Sequence, residues 1–540
     1  MPAFLNMNST RHAALLACCL APLCFGAFAA FVLQQDANWD LRNYHWYNPY
    51  AFLNGRWDVD IMPAQTPTFY NPTLDVPFFV MAQWLSARAV GFVMGTIQGL
   101  NFVFLYVIGA QLLAAIAVNP RRLAALALAL VGVLGGGNLG LLGTTFYDNI
   151  VSLFVLGSIA TVMGLLPRLA MEQQATSFWP RLIFAGFLVG AGTGLKLPTA
   201  VFAVGLCAGL LFTAPHIVQG LSRSFAFGVG VLTGIGAFAG HWMWFLWVNY
   251  RNPLFPYFNG FFDSPKGVAE SYRDARFIPS DLLEWLFFPI VTALNPMQAG
   301  EAAFRDWRIA AALIALLFTL GFAVMTHKRA PQINTVVVRN RALYLITAAA
   351  LSYVAWLGLF GIYRYAITLE MLAPLVIVAA VSLWPMWIKA RIAFLTTTLV
   401  AVTLSAVPGD WGRVPWAIRF VETTAPTLPR PDQTMVLMLG TTPTSWVIPA
   451  FPKSASFVRV QGYGIGPEDG ETGLNQKVRA RIAAHRGDFF TLASVDDRAL
   501  AGSLLANFGL AQGDLNCRKV ISNLAEGAEL CAVIAKEQRP

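Results

Sequence analysis

Residues 365–384 read YAITLEMLAPLVIVAAVSLW, twenty positions with a single charge, Glu370. A bilayer hydrocarbon core of about 30 Å is crossed by roughly 20 apolar residues in a helix, so this stretch reads as a transmembrane helix. Comparable runs lie near 13–33, 90–117, 123–143, 147–167, 181–195, 197–213, 224–247, 308–326, 342–361 and 392–408, which makes eleven spans. The weakest boundary is at 195–197. The first run follows Arg11 and His12. It lacks a clear small-residue cleavage site and leads into an aromatic flank, so it reads as a retained helix and not a signal peptide.

Composition agrees. The chain has 540 residues, 56% hydrophobic and 12% charged, with a mean hydropathy of +0.57. Soluble domains carry roughly 25% charged residues, and disordered chains are poor in apolar residues. Both classes are excluded. Forty Phe, sixteen Trp and fourteen Tyr suit lipid and its interfaces. The net charge of +9 does not point to nucleic acid, because the basic residues are spread between the apolar runs.

That spread sets an orientation. With the N-terminus inside, the inner segments hold Arg11, Arg121, Arg122, Arg168, Arg181, Arg223, Lys328, Arg329, Arg339, Arg341, Lys389 and Arg391 against one acid, Glu172. An excess of Lys and Arg on short loops marks the cytoplasmic side. The long segments 34–89 and 248–307 then lie outside, as does the C-terminal tail. Residues 1–410 read as the membrane domain, 411–431 as a Pro- and Thr-rich linker, and 432–540 as a small extracytoplasmic α/β domain. In that domain the strand-like runs are 434–439, 456–461, 489–495, 517–522 and 530–536, with helices at 475–485 and 497–508. A terminal hairpin would set Cys517 opposite Cys531. A disulfide there suits an oxidising outer compartment; two buried thiols are the other reading. Cys18, Cys19, Cys24 and Cys207 lie inside spans, where packing accounts for them.

Ionisable groups near membrane depth need a partner or a job, and several gather at the outer ends of spans. Asp36 and Asp40 follow the first span at i, i+4, the spacing that places both on one face of a helix. Asp148 opens the fourth span, Lys196 closes the fifth, and Arg364 and Glu370 open the tenth. Arg251 lies in the aromatic loop after residue 248, and Asp58 and Asp60 form an acidic pair in the first loop. No Cys/His spacing suggests zinc and no Gly-rich phosphate loop follows a strand. Gly135-Gly136-Gly137 reads as a site of close helix approach.

This layout resembles the GT-C superfamily, polytopic glycosyltransferases that take sugar from a polyprenyl-phosphate carrier and include protein O-mannosyltransferases and lipid A aminoarabinose transferases. The resemblance spans the whole chain in layout. In residues it rests on Asp40 followed by Tyr44 and Ala51 to Gly55, the Asp148 segment, Gly194-Leu195-Lys196, and Arg364-Tyr365. It implies Asp40 as catalytic base, Asp148 as supporting acid, and Lys196 and Arg364 as ligands of the carrier phosphate. Two features depart from the pattern. Trp39-Asp40-Leu41 stands where the mannosyltransferases carry an acidic pair, and no sequon-recognition motif is visible. The expected partners are a polyprenyl-phosphate-sugar donor, a lipid, glycan or protein acceptor, and the bilayer of a bacterial inner membrane.

The chemistry follows without the family. Sugar transfer from a lipid phosphate needs a base for the acceptor hydroxyl, which a carboxylate supplies. It also needs positive charge where the leaving phosphate gains negative charge, and the planar fork of Arg matches phosphate. Each residue has a plainer reading too. Asp40 caps a loop helix or pairs with Arg42, Asp148 caps its helix, Lys196 snorkels, and Arg364 bridges to Glu370. Arg251 is a third donor-site cation or an exposed loop residue. Asp36 and Glu370 are further candidate acids. Asp58 and Asp60 hold a divalent ion or are solvated loop carboxylates, and no other cofactor is implied. A transporter or flippase would show inverted repeats and charge at the midplane. An O-antigen ligase or polymerase would place its large loop late in the chain, and a scaffold would use only the outer domain.

Overall fold

The computed structural model describes residues 7–170, 178–270, 274–325, 336–513 and 517–535. Glu172, Lys328 and Arg329, used above for orientation, lie outside them. Each of the eleven apolar runs falls on a helix. Among the described residues, eight helices are long and apolar enough to cross a membrane: Ser9–Phe31, Ala87–Leu112, Asp148–Pro167, Phe178–Leu195, Ile217–Tyr250, Arg308–Met325, Arg339–Leu359 and Tyr363–Val381. The other three runs fall on the shorter helices Val118–Val133, Ala200–Phe212 and Ile388–Leu404. The chain is a multi-pass membrane protein.

The chain forms two compact units. The first comprises the N-terminal helix to Leu33, Gly91–Phe238 and Asp274–Trp411. Its centre is the helix Ile367–Val381, apolar on every side and buried along its whole length, as expected of a helix surrounded by others. Small residues set the helix contacts. A Cβ on Gly186 or Gly190 would lie 2.0 or 2.2 Å from the carbonyl oxygens of Phe227 and Val231. One on Gly230 or Gly234 would meet those of Ile183 and Phe187 at 2.0 and 2.3 Å. Glycines four apart on both partners let the backbones touch, which is how helices gain contact in lipid. The break foreseen near 195–197 is present: Lys196 is extended (φ −146°, ψ 108°), and the chain restarts through Leu197–Thr199.

The second unit comprises Gln34–Val90, Ala239–Arg273 and Gly412–Pro540. Its sheet contains β3 (Thr423–Thr424), β4 (Thr434–Met438), β5 (Ser456–Arg459), β6 (Asp488–Ser494), β7 (Leu510–Gln512), β8 (Arg518–Ser522) and β9 (Ala528–Ala535). The order is β3-β8-β9-β6-β4-β5, with β7 also on β9. β4 runs parallel to β5 and β6, and β6 antiparallel to β9. A separate ribbon pairs β1 (Gln35–Asp36) with β2 (Arg413–Val414). The residues read as a linker thus contribute β2 and β3, two short pairings too brief for a periodic signal. The first outer loop joins this sheet: Ile61 bridges Val458, covering the outer edge of β5, an edge that would otherwise template aggregation. Ile61, Phe69, Trp242 and Phe255 share one core with Leu437, Val458 and Ile482.

In the terminal hairpin, Arg518 faces Leu530 and Val520 faces Ala528. One step along that ladder sets Cys517 opposite Cys531, and a disulfide joins them with Cα atoms 4.3 Å apart.

Candidate functional site

In the first unit, three sequence-distant segments bring charge together. Tyr147 adopts φ +63°, a conformation that L side chains avoid, and the helix Asp148–Ala170 starts directly after it. Lys196, at the helix break, donates from Nζ to Asp148 Oδ1 at 2.7 Å and to the Phe146 carbonyl at 2.6 Å. Arg364 lies in the short turn Tyr363–Ala366 that leads into the central helix. Its NH1 stands 3.9 Å from Asp148 Oδ2. Its guanidinium lies 4.3 Å from the centre of the Phe146 ring and 5.3 Å from that of Tyr365. Side-chain exposures are 5% for Asp148, 13% for Lys196 and 6% for Arg364. Asp148, Arg364, Tyr365, Ile367, Thr368, Pro198 and Thr199 line one small pocket.

A residue that the sequence reading passed over completes the set. Glu301 binds Arg364 through both oxygens, Nε to Oε2 at 2.5 Å and NH2 to Oε1 at 3.0 Å. The backbone N–H of Tyr363 donates to the Ala299 carbonyl at 2.7 Å, which fixes the Glu301 loop against the turn. Glu301 is one carboxylate in a loop of balanced charge, so no spacing marks it. Asp274 adds a further acid: hydrogen bonds from Arg276 hold its carboxyl below the usual range, with Arg364 contributing.

Glu370 departs from expectation. It does not pair with Arg364. It is fully buried and accepts from Tyr363 Oη at 2.8 Å and from the N–H groups of Gly137 and Asn138 at 3.1 and 2.9 Å. Beside it, Asp306 accepts from the Gly136 N–H at 2.8 Å and pairs with Arg308. Burial pushes the Asp306 carboxyl up against the pull of Arg308. The three glycines do allow close approach: a Cβ on Gly135 would fall 1.8 Å from Glu370 Oε1. Gly136 and Gly137, with Asn138, also offer backbone N–H groups to two buried carboxylates, a small anion nest filled from within the protein. Glu370 is a fastening of the fold.

The second unit holds the remaining candidates. Asp40 is buried at the start of the π-helical turn Leu41–His45 and accepts from Tyr44 Oη at 3.1 Å. Asp36 does not share a helix with Asp40. It sits on β1 and binds the backbone and side-chain amides of Asn38 at 3.1 and 2.8 Å, so its task is to shape the turn. Asp60 is taken by a bidentate Arg56 (2.6 and 2.7 Å), by Tyr47 Oη (2.8 Å) and by the Phe457 N–H (2.9 Å). Asp58 is exposed and uses its backbone carbonyl to hold Arg481. A carboxylate so fully engaged and an exposed neighbour do not make the ion site that their spacing suggested. Arg251 is exposed with φ +54°.

No protein-family model matches the chain, and neither does any curated protein. Among solved structures it is similar to the apo oligosaccharyltransferase of Archaeoglobus fulgidus at 11% identity and a TM-score of 0.45, over 94% of this chain and 72% of that one. It is also similar to ArnT from Cupriavidus metallidurans bound to undecaprenyl phosphate, at 12% identity and a TM-score of 0.40, over 97% of both chains.

Proposed function

We propose that the protein is a membrane glycosyltransferase that moves a hexosyl or pentosyl group from a polyprenyl-phosphate donor to a lipid, glycan or protein acceptor. One observation carries the donor half of this reading. Two cations from distant parts of the chain, Lys196 and Arg364, converge on one buried carboxylate, Asp148. Arg364 and Asp148 border a small pocket together with Tyr365 and Thr368. Paired cations at the outer ends of apolar helices suit the phosphate of a donor whose isoprenoid chain stays in the bilayer.

In this reading Arg364 and Lys196 hold the donor phosphate, with Asp148 fixing Lys196 and Glu301 holding Arg364 in the free protein. The acceptor hydroxyl attacks the anomeric carbon and its proton passes to Asp40. The bond from that carbon to the phosphate oxygen breaks, and polyprenyl phosphate leaves with the electron pair. Cationic hydrogen-bond donors lower the barrier because they meet charge that appears only as the bond breaks. The basic inner loops support a cytoplasmic N-terminus and a periplasmic C-terminal domain in a bacterial inner membrane.

The test is sugar release from polyprenyl-phosphate sugars by the purified protein and by Asp40→Asn and Arg364→Met. Loss of turnover with donor binding retained in Asp40→Asn, and loss of donor binding in Arg364→Met, supports the assignment. Full turnover in both variants refutes it.

A further inference from the structure

The sheet domain carries an aromatic side chain whose placement its own packing does not explain. Tyr463 lies in Gly462-Tyr463-Gly464, just after β5, and 48% of its surface is exposed. Its backbone, by contrast, is tightly held. The N–H donates to Gln65 Oε1 at 2.9 Å, and its carbonyl accepts from the N–H and the hydroxyl of Thr66 at 3.0 and 2.8 Å. Gln65 in turn donates to the Thr441 carbonyl at 2.9 Å. Gly464 takes φ +78°, which turns the chain sharply after the tyrosine. The backbone that carries the ring is thus fixed, while the ring itself is left half exposed.

That ring stands against Trp39, the residue before Asp40, with centroids 6.2 Å apart and planes tilted by 58°. Trp39 is itself held: Asn38 before it is fully buried and caps the Leu41 N–H at 2.7 Å. On the other side of Asp40, Tyr44 donates to its carboxylate, packs edge-on against Tyr70 at 5.2 Å, and Tyr70 stacks on Tyr257 at 6.0 Å. Tyr44, whose hydroxyl meets the Asp40 carboxylate, thus belongs to a chain of rings that runs through Tyr70 to Tyr257, while Trp39, next to Asp40 in sequence, pairs with Tyr463 of the sheet domain.

We infer that Trp39 and Tyr463 form a subsite for a pyranose ring of the acceptor, which makes the acceptor a saccharide-bearing molecule and gives the C-terminal domain a part in recognising it. This rests on Asp40 being the base. A pyranose has one face of C–H groups and a rim of hydroxyls. Aromatic faces take the first through dispersion and the positive C–H edge, and the carboxylate takes a hydroxyl proton from the second. Two tilted rings select the sugar's orientation as well as its presence, because stacking on one wall directs the rim to a fixed place. Trp39 adjoins Asp40 in the chain, within one sugar ring's length of the base, and on that ground the subsite is assigned to the acceptor and not to the donor sugar.

The experiment is saturation-transfer NMR on the full chain in phospholipid nanodiscs, free of sugar-headed detergent. The probes are the methyl pyranosides of glucose, galactose, mannose and N-acetylglucosamine. At least one glycoside is expected to receive saturation from the protein. The signal should fall about fivefold in Tyr463→Ala and in Trp39→Ala and persist in Tyr463→Phe, which keeps the ring and its fold. It should also persist when polyprenyl-phosphate sugar is added to Asp40→Asn. No signal with any glycoside, or an unchanged signal in Tyr463→Ala, overturns the proposal in favour of interfacial anchoring. Loss of the signal on adding donor overturns the acceptor assignment. Because binding is read without turnover, a failed transferase assay and a failed subsite are separate results.

Discussion

Glu301 holds the guanidinium of Arg364 in a two-pronged hydrogen bond of 2.5 and 3.0 Å, while 30% of the Glu301 side chain stays exposed. A phosphate seeking the same fork must displace that carboxylate. In Glu301→Gln the competing charge is gone, so polyprenyl phosphate should bind roughly tenfold tighter, a change of about 1.4 kcal/mol. Equilibrium binding of the purified variant checks this. Weaker binding would mean that Glu301 aims Arg364 and does not compete for it.

Lys196 and Arg364 share Asp148 but meet it differently: a hydrogen-bonded ammonium at 2.7 Å and a single guanidinium nitrogen at 3.9 Å. Lys196→Met should weaken donor binding by about tenfold, the worth of one charged phosphate contact. Lys196→Arg should restore much of the affinity by keeping the charge. If the methionine variant binds donor as well as the parent, Lys196 serves only to tie Phe146 and Asp148 together.

Asp306 and Arg308 are completely buried, and Arg308 also donates to the carbonyls of Val131 and Leu134 at 3.1 and 3.0 Å. Removing one partner strands the other charge. Arg308→Met should cost about 3–5 kcal/mol, while pairing it with Asp306→Asn should recover a large share of that loss. Thermal unfolding of the detergent-solubilised variants gives the comparison, and equal melting temperatures for single and double variants would contradict it.

The bridge between Cys517 and Cys531 closes a loop with a sequence separation of 14. Cross-links of this loop length contribute about 3 kcal/mol by constraining the unfolded chain. Cys517→Ser should therefore lower the unfolding temperature of the sheet domain, and reductant should do the same to the parent but not to the variant. Protease resistance of residues 432–540 is a suitable readout.

Along the chain, length and apolarity decide the helices, because a bilayer-spanning helix satisfies its own hydrogen bonds and needs only about 20 apolar residues. Asp148, Lys196 and Arg364 were legible for the same reason: an ionisable side chain in apolar surroundings stands out without any knowledge of its neighbours. Glu370 stood out equally and pointed the wrong way. Its partners are backbone N–H groups of Gly137 and Asn138, and every residue has a backbone, so composition cannot announce such a partner. Glu301 and Tyr463 were silent in sequence because loops have no period. Their roles come from contacts made at long separation, with Arg364 and with Gln65 and Trp39. Only the tertiary structure could group the first outer loop with the sheet domain, since Ile61 completes the edge of β5 across almost 400 residues of intervening chain. Local spacing and hydropathy thus determined what crosses the membrane, and long-range pairing decided which charges and rings meet.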